Sequence, residues 1–141
     1  MRKIAIASLL LLLAACGSSP KTAASKPLYE ILTSQSDGGG NIRFFEILST
    51  PEEIRMLQAD ENLRKKIAES DLQTANFIIL NMGEKNTGGY AITAEKVEEL
   101  PDKIVVTVKE TSPPEGSMNI QVITYPYAIV KINSKKPIEI R

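Results

Sequence analysis

The sequence predicts an α+β fold that is mainly antiparallel β, a small sandwich or barrel-like sheet with one helical insert. Three observations lead there. About eight short runs rich in Ile, Val and Thr are separated by clusters of Gly, Pro, Asn and Asp, the pattern of strands and turns. Only residues 51–69 carry apolar side chains at helical spacing. The 141 residues, 43% apolar and 24% charged, suffice for one folded domain, which we place at residues 27–141.

Residues 1–15 read as a secretory signal. Arg2 and Lys3 precede the apolar run Ile4 to Leu13, and the small residues Ala14 and Ala15 close it. The run is too short to span a bilayer comfortably. Leu13-Ala14-Ala15-Cys16 resembles the bacterial lipobox, in which the cysteine is diacylated on sulfur and becomes the mature N-terminus. Several acyl chains, at about 0.8 kcal/mol per buried methylene, give durable anchoring where one chain would not. The expectation is a lipoprotein held in the cell envelope through Cys16. Gly17, rather than Asp, follows the cysteine, which by analogy with Gram-negative sorting favours the outer membrane. Residues 16–26, rich in Ser, Ala, Pro, Lys and Thr, form a flexible tether.

The domain then unfolds in order. Leu28 to Thr33 and Ile42 to Leu48 are β-prone and flank the turn run Asp37-Gly38-Gly39-Gly40-Asn41, so residues 28–48 read as a hairpin. A calcium loop would need carboxylates at alternate positions and a distant Glu, which this run lacks. Thr50 is placed to cap a helix, Pro51 suits the first helical position, and Glu52 and Glu53 complement the helix dipole. Ile54, Leu57, Leu63 and Ile67 continue an apolar stripe that Asp60-Glu61-Asn62 interrupts, giving one bent helix or two short ones. Asn76 to Met82 is a continuous apolar run, hence a central strand covered on both faces. Tyr90 to Leu100 alternates, with a bulge, up to the Pro101-Asp102 turn. Lys103 to Lys109, Ile120 to Thr124, Tyr127 to Ile132 and Ile138 to Ile140 complete the strands.

Composition excludes several chemistries. Lys and Arg together number 17, as do Asp and Glu, so no net basic field draws nucleic acid. Without His, neither Ser-His-Asp nor Cys-His catalysis is open, nor is any imidazole metal site. The single Cys forms no internal disulfide. Gly83-x-x-x-x-Gly88-Gly89-Tyr90 is superficially a phosphate loop, but Gly89 and Tyr90 stand where Lys and a hydroxyl residue are required, and a strand follows. The bland reading is that Gly88 and Gly89 occupy positive-φ or crowded positions and Tyr90 packs its ring. Pro113-Pro114 stiffens a loop between strands. Tyr125-Pro126-Tyr127 sets two phenols around a proline that tight turns sometimes hold cis. Tyr and Pro on rigid loops lose little entropy on binding, so packing at strand ends and partner contact are equally open to them.

These residues carry a family resemblance. Met82-Gly83, Thr87-Gly88-Gly89-Tyr90, Val105 to Val108 with Lys109-Glu110, Pro113-Pro114-x-Gly116, and Thr124-x-Pro126-Tyr127-x-Ile129-Val130 together resemble the PrcB C-terminal domain over roughly residues 77–132. The chain departs from the pattern in placing Asn76, rather than Asp, before Phe77. The resemblance implies association with a protease or other envelope protein, in a complex where a small lipoprotein subunit stabilises a subtilisin-like protease. There is a looser likeness, of loop chemistry only, to immunoglobulin-like cysteine protease inhibitors.

The function expected is therefore that of a lipid-anchored, non-catalytic protein that binds and stabilises a partner. Its candidate contacts are Thr87, Gly88, Gly89, Tyr90, Pro113, Pro114, Tyr125, Pro126 and Tyr127, and it needs no cofactor or metal. The alternatives are protease inhibition by the same loops, and a small-ligand or cell-wall-binding module within the sheet interior. Paired carboxylates in a cleft would reopen the case for an enzyme.

Overall fold

A computed structural model describes residues 25–141, so the signal segment and Cys16 lie outside the described residues. The chain runs β1 (Tyr29–Gln35), β2 (Phe44–Leu48), α1 (Pro51–Leu57), α2 (Glu61–Arg64), α3 (Asp71–Thr74), β3 (Asn76–Asn81), β4 (Ala91–Glu99), β5 (Ile104–Thr111), β6 (Tyr127–Ile132) and β7 (Ile138–Ile140). Two sheets form, in the orders β1-β6-β3-β2 and β4-β5-β7. Every pairing is antiparallel except β5 with β7. The predicted α+β class, mainly antiparallel β, holds.

The layers follow from strand alternation. On β3, Ile78 and Leu80 face the second sheet and meet Ile92, Ile104, Val106, Val130 and Ile132 in one core. Phe77, on the opposite face, joins Leu48, Ile54, Leu57, Leu63, Ile67, Leu72 and Ile129 under the helices. A strand covered on both sides reads as an unbroken apolar run, which is why β3 was legible. Among the described residues, the centre of the space between the sheets is filled by side chains no more than 4% exposed, which counts against a ligand site in the sheet interior.

Three readings need correction. Residues 28–48 are not a hairpin. β1 pairs with β6 and β2 with β3, so the two strands lie on opposite edges of the four-stranded sheet. Three strand spacings, about 14 Å, separate them, and the residues between cross the end of the sheet. The crossing is fixed by Asn81, whose amide accepts from Gly40 N (2.9 Å) and donates to Gly40 O (2.9 Å) and Ile42 O (2.6 Å). Gly39 passes so close that a Cβ there would lie 2.2 Å from Asn81 Oδ1 and 2.8 Å from Tyr125 O. The glycine run serves a close crossing, not a two-strand turn.

Second, Ile120 to Thr124 is not a strand. It is an irregular arm, bent at Val122, that joins the rest of the fold through the Lys85–Thr124 bridge and the bond from Gly88 N to Ile120 O. Among the described residues seven strands are present, not eight. Third, the helical insert comprises three short helices. Thr50 and Glu53 close a capping box on α1, and Asp60, which interrupts the stripe, caps α2 through Asn62 N (2.8 Å) and Leu63 N (3.3 Å). α3 lies beyond the predicted range. Its Asp71, 1% exposed, pairs at 2.8 Å with Lys131 on β6, so an ion pair ties the helical layer to the sheet.

Candidate partner-contact site

The strand directions sort the loops into two ends. Tyr29 pairs with Ile132 and Asn76 with Ile132, so the described chain enters where β3 begins. Gln35 pairs with Tyr127, and Asn81 with both Tyr127 and Phe44, at the other end. The seven residues of β1 separate these ends by roughly 20 Å. Every candidate contact residue sits at the second end.

Backbone bonds weld that end together. Gly88 N donates to Ile120 O (2.9 Å), Lys85 and Thr124 exchange bonds of 2.8 and 2.9 Å, and Met82 N donates to Pro126 O (2.9 Å). Thr124 Oγ1 donates to Thr87 O at 2.9 Å. Gly89, at φ +89°, has room for no Cβ, because one would lie 2.9 Å from both Pro113 Cβ and Asn119 Oδ1. The loops predicted from the Gly, Pro and Tyr clusters are thus one platform.

Within it the named residues do different work. Pro126 is buried and trans, so the cis option is not taken, and its carbonyl closes the turn after β3. Tyr90 packs on the inter-sheet core with the Lys85 ammonium 5.4 Å from its ring centre. Gly88 has neither a positive φ nor a crowded Cβ position, contrary to the sequence reading, while Gly89 has both. Tyr127 faces the helical layer, away from the second sheet. Tyr125 bridges loops: its N–H donates to Asp37 (3.1 Å) and its hydroxyl to Glu84 (3.2 Å). The bond to Glu84 pushes the phenol above its ordinary value. Thr87 and Pro113 are half-buried, whereas Pro114 is exposed.

Sequence reasoning missed the two features that define the surface. The loop around Asp37 to Asn41, read as a bare turn, joins the platform through Gly39 N to Tyr125 O (2.9 Å) and Glu84 N to Asn41 O (3.1 Å). The arm carries Met118, Ile120, Val122 and Ile123, which are 102%, 75%, 49% and 52% exposed. The sequence reads Ile120 to Thr124 as a strand, which carries no sign that these side chains stand in solvent.

A cleft of about 510 Å³ opens beside Tyr127, lined also by Asp37, Asp60, Lys65 and Lys66. Both carboxylates there already accept backbone N–H groups, Asp37 from Tyr125 and Asp60 from the start of α2. Lys66 Nζ donates to Leu32 O at 2.5 Å. Asp37, Asp60 and Lys66 are thus engaged with the protein's own backbone. Among the described residues no cluster of three or more Asp, Glu, Cys or His side chains forms a metal centre, and no helix is long and apolar enough to cross a membrane.

Residues 76–133 match the PrcB C-terminal family. The PrcB C-terminal match runs from β3 through β6, so it takes in the sandwich core and the loops from Gly83 to Tyr127. β1, β2 and the helices precede it. No curated protein and no solved structure matches the chain.

Proposed function

We propose that this is a lipid-anchored, non-catalytic envelope protein whose loop end binds and stabilises a partner protein, as a subunit associated with a surface protease. The observation that carries the reading is the arm. Four large apolar side chains stand in solvent on a segment whose backbone is bonded to the Gly88 and Lys85 loop. A rigid, apolar, exposed surface gains from burial without a large ordering cost. The PrcB C-terminal match, which covers this segment, supports a partner within a protease-associated complex.

The described chain begins at the end of the domain opposite the arm, so a flexible tether from a lipid on Cys16 leaves the platform free to meet a partner. A non-catalytic role is supported by the absence of His from the whole sequence and by the prior engagement of Asp37 and Asp60.

The test is photo-crosslinking in intact cells from positions 118, 120 and 122, with position 100 at the far end as control. We expect one discrete adduct from the arm and none from Leu100, and a fall in the adduct protein's level when this chain is deleted. Equal labelling from both ends, or an unchanged level, overturns the reading. If the adduct is a protease whose rate falls on adding purified protein, inhibition replaces stabilisation. Cys16→Ser is expected to move the protein from the membrane to the soluble fraction.

A further inference from the structure

Four strand edges end the two sheets, and three are blunted. β1 carries a register shift between Ile31 and Thr33 and lies against β4, with Ser34 Oγ donating to Ile92 O at 3.3 Å. β4 is bulged between Ala94 and Lys96 and bears Glu95, Lys96, Glu98 and Glu99. β7 has only three residues and follows Pro137. These are the devices by which proteins protect sheet edges.

β2 is the least protected, with Glu46 as its one charged residue. Its sequence is Phe44-Phe45-Glu46-Ile47-Leu48, paired with β3 in continuous register and without bulge, Pro or Lys. Among the described residues, the backbone groups of Phe44 to Leu48 that point away from β3 find no hydrogen-bond partner. Phe44 and Ile47 remain 40% and 36% exposed.

A hollow adjoins this edge on its helical face. Glu46, Leu48, Glu53, Met56, Leu57 and Ile79 enclose about 270 Å³ between β2 and α1. That is below the usual range for small-molecule sites, roughly 300–1,000 Å³, and suits one inserted side chain. Of the two carboxylates, Glu53 accepts from Ser49 N and Thr50 N in the capping box. Glu46 forms no ion pair among the described residues, because Arg43 is engaged with Glu110 (2.7 Å) and Lys135 donates to Ser49 O (2.6 Å).

We infer that β2 and α1 form a groove for an extended segment of another protein, which adds a strand to the sheet. The incoming segment carries a large apolar residue that enters the hollow beside Leu48 and, two positions away on the same face, a Lys or Arg opposite Glu46. A second copy of this chain fits less well. A two-fold pairing of this five-residue strand about its middle sets Glu46 opposite Glu46, and like charges directly opposed are unfavourable. The groove is separate from the loop platform, and it stands or falls independently of the function proposed above.

The experiment is a fluorescence-anisotropy titration of the full chain in detergent with two labelled heptapeptides, VTLTKTV and VTLTETV. We expect the lysine peptide to bind about five- to tenfold more tightly, and Glu46→Lys to reverse the order, the range a cross-strand charge pair allows. Because Glu46 is exposed, an unchanged circular dichroism melting curve will confirm that the variant folds. No binding of either peptide, or a preference indifferent to Glu46→Lys, overturns the proposal. A dimer in sedimentation that Glu46→Lys alters, with no peptide bound, assigns the edge to a second copy and also overturns it.

Discussion

Asn81→Ala is the substitution that most directly tests how the loop end is built. Asn81 is 1% exposed, and its amide makes three bonds of 2.6 to 2.9 Å to the backbone of Gly40 and Ile42. At about 0.5–1.5 kcal/mol net each, their loss costs roughly 2–4 kcal/mol, with water reaching the loop's outer side keeping it toward the lower figure. For a domain of this size that lowers Tm by about 10 °C. With no Trp in the sequence, circular dichroism in a urea titration is the suitable probe. Asn81→Asp sharpens the test. It keeps an acceptor for Gly40 N but turns both donors into a carboxylate facing Gly40 O and Ile42 O, so it costs at least as much as Asn81→Ala. Hydrogen exchange at Gly39 and Gly40 should accelerate in both variants. A loss below about 1 kcal/mol for Asn81→Ala, or an aspartate milder than the alanine, refutes the account of the crossing.

Three other outcomes follow from separate parts of the fold. Burial opposes ionisation of Asp71, but the bond from Lys131, the Ala68 N–H and the charges of Lys131 and Lys26 outweigh it and hold its carboxyl below the ordinary range. A depressed folded value gives stability that is present above about pH 4 and lost as pH falls through the lower folded value. Asp71→Asn, which leaves Lys131 buried and unpaired, should cost about 3–5 kcal/mol at neutral pH and flatten the acid limb of urea midpoints measured from pH 2 to 6. Gly89→Ala should lower Tm by several degrees through its positive φ and its contact with Pro113, while Gly88→Ala, with ordinary room at 3.8 Å, should leave it nearly unchanged. Thr50→Ala removes the acceptor for Glu53 N and should cost about 1 kcal/mol in the same denaturation assay.

What could be read from the sequence was whatever its own neighbours determine. The Thr50 cap, the bulge in β4 and the double covering of β3 depend on residues within a few positions, and each is present. The partner of β1 does not. A glycine run announces that the chain turns, but Asn81 and Tyr125, 41 and 86 residues beyond Gly40 and Gly39, decide that it turns across the sheet end. Asp71 likewise meets Lys131 only in the fold.

The arm is the informative failure. Ile120, Val122 and Thr124 alternate as in a strand, and a strand requires a partner strand to pair with. Lys85 bridges Thr124 and Gly88 N donates to Ile120 O, yet the side chains of Ile120, Val122 and Ile123 are left in solvent. Local pattern and fold usually agree, so a segment patterned for burial yet unburied supports the partner-contact surface proposed above. β2 repeats the logic in its backbone, with five residues of good strand sequence and one unpaired edge. Substituting Met118 and Ile120 with Ser should therefore leave the domain's own stability within about 0.5 kcal/mol of wild type while abolishing the arm's crosslink. A large loss of stability would mean that the arm packs on its own domain, and would remove the reason for assigning it to a partner.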